Sequence, residues 1–152
     1  MRFASASDLT ALMRLINAAF AVERIVFDGN RLDERSTRDY LEKGKFLVLE
    51  DSASIAGCVY CELRGERGYL GLLAVDLSRQ GTGLGRKLVA AAEDYFRGSG
   101  CKAVDLRTLS PRAPLPEFYK RLGYEEIGTA PFPPEKQAKV PGHFILMSKR
   151  LS

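Results

Sequence analysis

Between residues 69 and 88 the chain places glycines where an anion would need them. The apolar run Tyr69 to Val75 reads as a strand, and Asp76-Leu77-Ser78 reads as a bridge. Gln80-Gly81-Thr82-Gly83-Leu84-Gly85 then forms a loop that opens a helix. A helix N-terminus presents backbone N–H groups without intrahelical acceptors, and the helix dipole adds positive potential there. Glycines at 81, 83 and 85 remove side chains that would hold an oxyanion away, so the turn predicts a phosphate cradle. Arg79 and Arg86 flank it and add charge. The spacing excludes two familiar phosphate binders. A dinucleotide fold uses Gly-x-Gly-x-x-Gly after the first strand of a parallel sheet, whereas here Gly-x-Gly-x-Gly follows an antiparallel hairpin. A Walker loop needs Gly-Lys-Ser/Thr, and Gly85-Arg86-Lys87 lacks the hydroxyl that would meet magnesium.

Cys58 and Cys61 match Cys-x-x-Cys, but zinc would need two further ligands, and only His143 and Cys101 remain to supply them. No metal site is expected. The two cysteines fall within Ile55 to Leu63, a predicted strand on which side chains three apart face opposite ways. They read as buried thiols of a protein in a reducing cytoplasm.

The elements that must position the loop follow from periodicity. Met1 to Ala4 is a weak strand. Asp8, with Ser7, is placed to cap a helix carrying Leu9, Leu12, Met13, Ile16, Ala19 and Phe20 at three- and four-residue spacing. Val26 to Arg35 holds the loop signal Asp28-Gly29-Asn30, and Ser36 is the expected cap of a short helix over Thr37 to Glu42, ending at Gly44. Phe46 to Glu50 and Ile55 to Leu63 predict a hairpin, and Gly65 to Gly68 a tight connection to the central strand. After the glycine loop, Leu84, Leu88, Val89, Ala92, Tyr95 and Phe96 keep helical spacing until Gly98-Ser99-Gly100. Cys101 to Thr108 is a strand and Ser110 to Pro116 a proline-rich loop. Glu117 to Leu122 is a short helix, Tyr124 to Gly128 a strand, Thr129 to Gly142 a long loop and Phe144 to Arg150 the last strand. The order implies one α/β domain over residues 1–152, built on a mixed sheet.

Composition agrees. With 152 residues, 45% hydrophobic and 28% charged, the chain can bury a core without disulfides or a structural metal. The net charge of +4 is dispersed with no basic run, which argues against a nucleic-acid partner and leaves a few cations for an anionic ligand. The N-terminus carries no signal pattern, and no apolar stretch reaches the ~18 residues of a membrane span. No membrane partner is expected, and a cytoplasmic location is.

Gln80-x-x-Gly83-x-Gly85 resembles the Q/R-x-x-G-x-G/A signature of the GNAT superfamily of N-acyltransferases, and Phe118-Tyr119-Lys120-Arg121-Leu122-Gly123-Tyr124 resembles its second hallmark. The opening of the first helix is also similar, so the resemblance covers nearly the whole chain. It implies a mostly antiparallel mixed sheet, splayed at its centre and flanked by helices. Acetyl-CoA would be the cosubstrate. Its pyrophosphate would lie on the backbone of Gln80, Gly81, Thr82, Gly83, Leu84, Gly85 and Arg86. Its pantetheine arm would pair with the strand edge Leu73, Ala74 and Val75. The gap would open between Tyr69–Val75 and Cys101–Thr108.

The resemblance further implies direct acetyl transfer to a primary amine, on a small molecule or a peptide. Tyr119 matches the family's usual general acid, and a phenol ordinarily keeps its proton at neutral pH. Many relatives carry an asparagine in the loop ahead of this helix. Here that segment is Ser110-Pro111-Arg112-Ala113-Pro114, so Ser110 is the candidate substitute. Glu62, late on its strand, is the first candidate base, and His143 the second, since an imidazole exchanges protons near neutral pH. The acceptor site would come from Val22 to Leu41, with Arg24, Arg31, Arg35 and Arg38, and from Thr129 to Gly142, with Lys136 and Lys139. A homodimer is compatible with the family. A non-catalytic acyl-CoA sensor on the same fold is the alternative, disfavoured by the presence of Tyr119.

Overall fold

The computed structural model describes residues 1–21, 31–52, 54–110, 114–132 and 142–152. Seven strands form one sheet: β1 (Arg2–Phe3), β2 (Lys45–Asp51), β3 (Ser54–Arg64), β4 (Arg67–Val75), β5 (Ala103–Ser110), β6 (Glu125–Ala130) and β7 (His143–Arg150). Four helices flank it: α1 (Leu9–Ala19), α2 (Glu34–Lys43), α3 (Leu84–Gly98) and α4 (Pro114–Arg121). The strand order is β1-β2-β3-β4-β5-β7-β6, and β4–β5 is the parallel pair.

Strand alternation divides the core into two layers. On one face Phe46, Val48, Cys58, Tyr60, Leu72 and Ala74 pack under Leu12 and Ile16 of α1. On the other Val59, Cys61, Leu70, Val104, Leu106 and Met147 pack under Leu88 and Phe96 of α3 and Tyr119 of α4. Cys58 and Cys61 therefore lie in different layers as free, buried thiols, as their spacing predicts. Burial pushes both thiols up to about 12, so neither is a thiolate at neutral pH.

The central strands do not stay together. β4 and β5 pair only at Arg67↔Ala103, Gly68↔Val104 and Tyr69↔Asp105. Beyond that point β4 continues on β3 to Gly57↔Val75, while β5 follows β7 to Ser110↔His143. A bulge accompanies the divergence. The pairs Cys58↔Ala74 and Tyr60↔Gly71 leave two β4 residues opposite one on β3, and Leu72 takes φ 48°. The expected splay between these two strands is present.

Several boundaries differ from expectation. Asp33, not Ser36, caps α2. Its Oδ1 accepts from Ser36 N at 2.7 Å, and the Ser36 hydroxyl accepts from Asp33 N at 3.0 Å. The box closes one turn earlier because both side chains can serve it reciprocally. Asp8 occupies the N-cap position of α1 as expected, but its side chain makes no cap hydrogen bond. Its carboxylate accepts from Ser5 N and from both terminal nitrogens of Arg2. α4 starts inside the proline-rich segment, at Pro114, because a first helical turn lacks N–H acceptors and tolerates proline. β5 runs Ala103–Ser110 rather than Cys101–Thr108, and β6 extends to Ala130, both set by pairing with β7. Arg24, Lys136, Lys139 and residues 111–113 lie outside the described residues.

Candidate active site

The splay makes an opening through the sheet. A cavity of about 120 Å³ lies between β4 and β5, lined from both faces. Leu73 and Thr108 line it from the α3/α4 side together with Leu115 and Tyr119 of α4. Phe20, Arg31, Tyr69, Arg107 and Phe144 line it from the α1/α2 side. Strand alternation explains the division, since Arg107 and Thr108 are neighbours and must project oppositely.

Along the rim, Asp76 N donates to Ala56 O of β3 at 2.8 Å. Backbone groups of a strand alternate edges, so those of Val75 and Leu73 point away from β3 into the opening. Gln80 Nε2 approaches Val75 O at 3.4 Å and closes the end of the rim.

The glycine loop lies at the mouth. Gly81 and Gly83 take φ 82° and 84°, a left-handed conformation that a Cβ would strain. Gly83 caps α3 without a side chain, and Lys87 N donates to Gly83 O at 3.2 Å. The N–H groups of Leu84, Gly85 and Arg86 are thus left without helical acceptors. A Cβ at Gly85 would lie 3.4 Å from Phe118 and 3.9 Å from Leu73, so the loop touches both α4 and the rim of β4. Thr82 donates its hydroxyl to Arg79 O, and Asp76 accepts from Ser78 N at 2.9 Å, which fixes the turn. Arg79 is held by Asp51, whereas Arg86 is exposed and without an ion pair among the described residues.

Tyr119 is 6% exposed, and its ring meets Phe118 at 5.0 Å and Tyr124 at 5.7 Å, both edge-to-face. Behind it the Tyr124 hydroxyl donates to Glu93 at 2.8 Å, and Lys149 Nζ donates to both Glu93 oxygens at 3.0 and 3.2 Å. Burial raises the Tyr124 hydroxyl well above its ordinary value, and the Glu93 charge reinforces this, so it remains a donor. Thr108 behaves differently. It is 3% exposed, and its Oγ1 has no hydrogen-bond partner among the described residues. A buried hydroxyl at the edge of a cavity, left unpaired, is what a site for a hydrogen-bonding ligand would show.

Glu62 lies outside this opening. It lines a wider groove of about 820 Å³ on the α2 side, whose lining shares Tyr69 and Arg107 with the opening. Partial burial works to raise its carboxyl, but the Tyr60 hydroxyl at 2.7 Å and the Arg64 guanidinium outweigh it and hold the group below the ordinary carboxylate range. His143 is exposed at the first position of β7, paired in register with Ser110, and lines neither cavity. Ser110 lies at the far end of β5, half-buried and outside both linings.

Sequence reasoning missed Arg107, Thr108 and Asp105. Asp105 lines the groove, where the Arg67 fork at 2.7 and 2.6 Å holds its carboxyl low and Ser148 donates at 2.8 Å. Alternation along β5 carries a signal for them, since it sets Asp105 and Arg107 on one face and Leu106 and Thr108 on the other. Among the described residues no group of three or more His, Cys, Asp or Glu side chains could hold a metal. No helix among them is long and apolar enough to cross a membrane.

Known proteins resemble this chain in sequence and in fold. Mycothiol acetyltransferase of Propionibacterium freudenreichii subsp. shermanii is 27% identical over 144 residues, 90% of this chain but 46% of that protein. N-alpha-acetyltransferase 30 of Saccharomyces cerevisiae is 30% identical over 73 residues, 45% of this chain and 42% of that protein. The chain thus spans about half the length of the curated relatives it matches. Ribosomal-protein-alanine N-acetyltransferase from Brucella melitensis superposes with a TM-score of 0.79 at 22% identity, covering 99% of this chain and 98% of that one. The NatC complex bound to Gag peptide and CoA contains a chain with a TM-score of 0.73 at 19% identity, covering 100% of each. At these identities the two solved structures establish the fold. The model of the acetyltransferase (GNAT) family matches residues 9–124, and the chain belongs to that family.

Proposed function

We propose that the chain transfers an acetyl group from acetyl-CoA to a primary amine by direct attack. The observation that carries this reading is the opening between β4 and β5, which has Tyr119 on one face and connects with a broad groove on the other. The site's own chemistry fits the cosubstrate. The unpaired N–H groups of Leu84, Gly85 and Arg86, in a loop with positive-φ glycines at 81 and 83, suit a pyrophosphate, and the exposed Arg86 adds charge. The Leu73 and Val75 backbone suits an extended chain that adds to the β4 edge. The Thr108 hydroxyl would find in that chain the partner it lacks.

In this reading the amine reaches the thioester carbonyl from the groove side. The new C–N bond forms, the C–S bond breaks, and Tyr119 gives its proton to the departing sulfur. The amine's surplus proton goes to Glu62 by way of water in the groove. Glu62 is ionised throughout the neutral range because its carboxyl is held low. His143 and Ser110 line neither cavity and take no part in this reading.

Tyr119→Phe tests the reading against a non-catalytic sensor. The enzyme should lose turnover by about 10²-fold while its acetyl-CoA affinity stays within about twofold. A variant that turns over like wild type removes Tyr119 from the reaction. Glu62→Gln should abolish the acid limb of the kcat/KM profile, which for a depressed carboxyl lies below the ordinary carboxylate range.

A further inference from the structure

On the α1/α2 side the opening is lined by two guanidiniums, Arg31 from the segment ahead of α2 and Arg107 from β5, and among the described residues by no carboxylate. Arg31 donates to the Tyr40 hydroxyl at 3.3 Å, and Arg107 stacks over the Phe144 ring at 4.3 Å. Both contacts orient a planar fork without neutralising it. Neither arginine has a carboxylate within ion-pair distance among the described residues. Of the three described acids of the adjoining groove, Glu62 is engaged by Arg64 and Asp105 by Arg67, while Asp39, exposed on α2, lines the groove but not the opening. Two like charges converging on one small cavity raise its potential and favour an anionic guest.

We propose that Arg31 and Arg107 form a carboxylate subsite, so that the acceptor is a primary amine that also carries a carboxylate. The inference rests on the acetyl-transfer reading and adds to it a substrate class. A purely cationic amine would approach two guanidiniums that no described carboxylate pairs and be repelled, whereas the carboxylate of a zwitterion can take the bidentate bonds that a fork offers. Polyamines and aminoglycosides are thereby excluded as preferred acceptors. The carboxylate could be the α-carboxylate of a free amino acid or an acidic side chain near a peptide N-terminus. The chemistry at the two arginines is the same in both cases.

The test uses the full chain with saturating acetyl-CoA and follows release of the CoA thiol. Acceptors are supplied in matched pairs: the free amino acids against their amides, and Asp- and Glu-containing dipeptide amides against their Asn and Gln counterparts, with spermidine as the cationic control. The carboxylate member of the preferred pair should show kcat/KM at least about tenfold above its amide, and above spermidine. The pair that responds identifies the source of the carboxylate. Arg107→Gln should bring that pair to parity, Arg31→Gln should narrow it, and Arg107→Lys should restore part of the difference. Calorimetry should give all variants a CoA affinity within about twofold of wild type, since neither arginine faces the glycine loop.

Preference for amides or spermidine overturns the proposal. So does an Arg107→Gln variant that slows both members equally, or a wild type that binds CoA and acetylates no member of any pair. A wild type that fails to bind CoA at all overturns the acetyl-transfer reading, and this inference with it.

Discussion

Two buried polar groups on the α3/α4 side of the sheet, Glu93 of α3 and Thr108 of β5, are treated in opposite ways. Glu93 is 6% exposed and satisfied on both oxygens, by the Tyr124 hydroxyl and by Lys149. Thr108 is 3% exposed and satisfied by nothing among the described residues. The first group ties α3 to the β6–β7 end, where the strands stay paired past one bulge at Glu126/Gly128; the second lies where β4 and β5 have separated. Folding favours the first arrangement and tolerates the second, because an unpaired buried hydroxyl costs about 1–3 kcal/mol. The difference separates a region whose polar groups are satisfied within the chain from one that, in the proposed function, a ligand completes. Tyr119 spans them, with its ring on Tyr124 and its side chain lining the opening.

The comparison breaks most visibly at Lys149. Lys149→Met leaves the Glu93 carboxylate with the Tyr124 hydroxyl and a long ion pair to Arg97 at 4.0 Å, and should cost about 3 kcal/mol in denaturant unfolding. Removing both charges, as Glu93→Leu with Lys149→Met, should cost less than the single change. If Lys149→Met is neutral, the Glu93 cluster is not the anchor described here.

Thr108→Val should act in the opposite direction. Loss of an unpaired hydroxyl should stabilise the unliganded chain by about 1 kcal/mol, while acetyl-CoA affinity falls about fivefold by calorimetry. Thr108→Ser, which keeps the hydroxyl, should keep the affinity. Destabilisation together with unchanged affinity would show that Thr108 is a structural residue after all.

Asp8 provides the smallest effect and a control remote from both regions. The Arg2 hydrogen bonds and the Ser5 N–H lower its carboxyl from 3.8 to about 2. Its folded value is depressed, so its contribution is complete above the unfolded value and is lost as pH falls through the folded one. Asp8→Asn should therefore cost about 0.5 kcal/mol at neutral pH and progressively less toward about pH 2. Acetyl-CoA affinity should not change.

Much of this arrangement was readable before any coordinates. Periodicity located the helices and most strands, because the apolar stripe at three- and four-residue spacing and the alternation of two are local properties of the chain. The glycines at 81 and 83 announced the turn ahead of α3, since glycine accepts φ of 82° and 84° without strain; the cradle is what we propose on that turn. Tyr119 was legible through the helix and Gly123 that follow it. The cap of α2 was misplaced although its signal was present, because Asp33 and Ser36 are both good caps and their reciprocal bonding decides between them. Asp8 stands at the cap position, but its side chain serves Arg2 instead, a choice made by the β1 strand that brings Arg2 alongside.

By itself, then, the sequence determined which segments are helix or strand, which thiols face which layer, and where an anion could rest on backbone amides. These depend on residue type and short spacing. Only the tertiary structure decided how far β4 and β5 stay paired, because that depends on β3 and β7 drawing them apart. With that separation it also decided that Thr108 lacks a partner among the described residues, and that Arg31 and Arg107 line one opening. Contacts between residues so distant along the chain are set by how the layers pack.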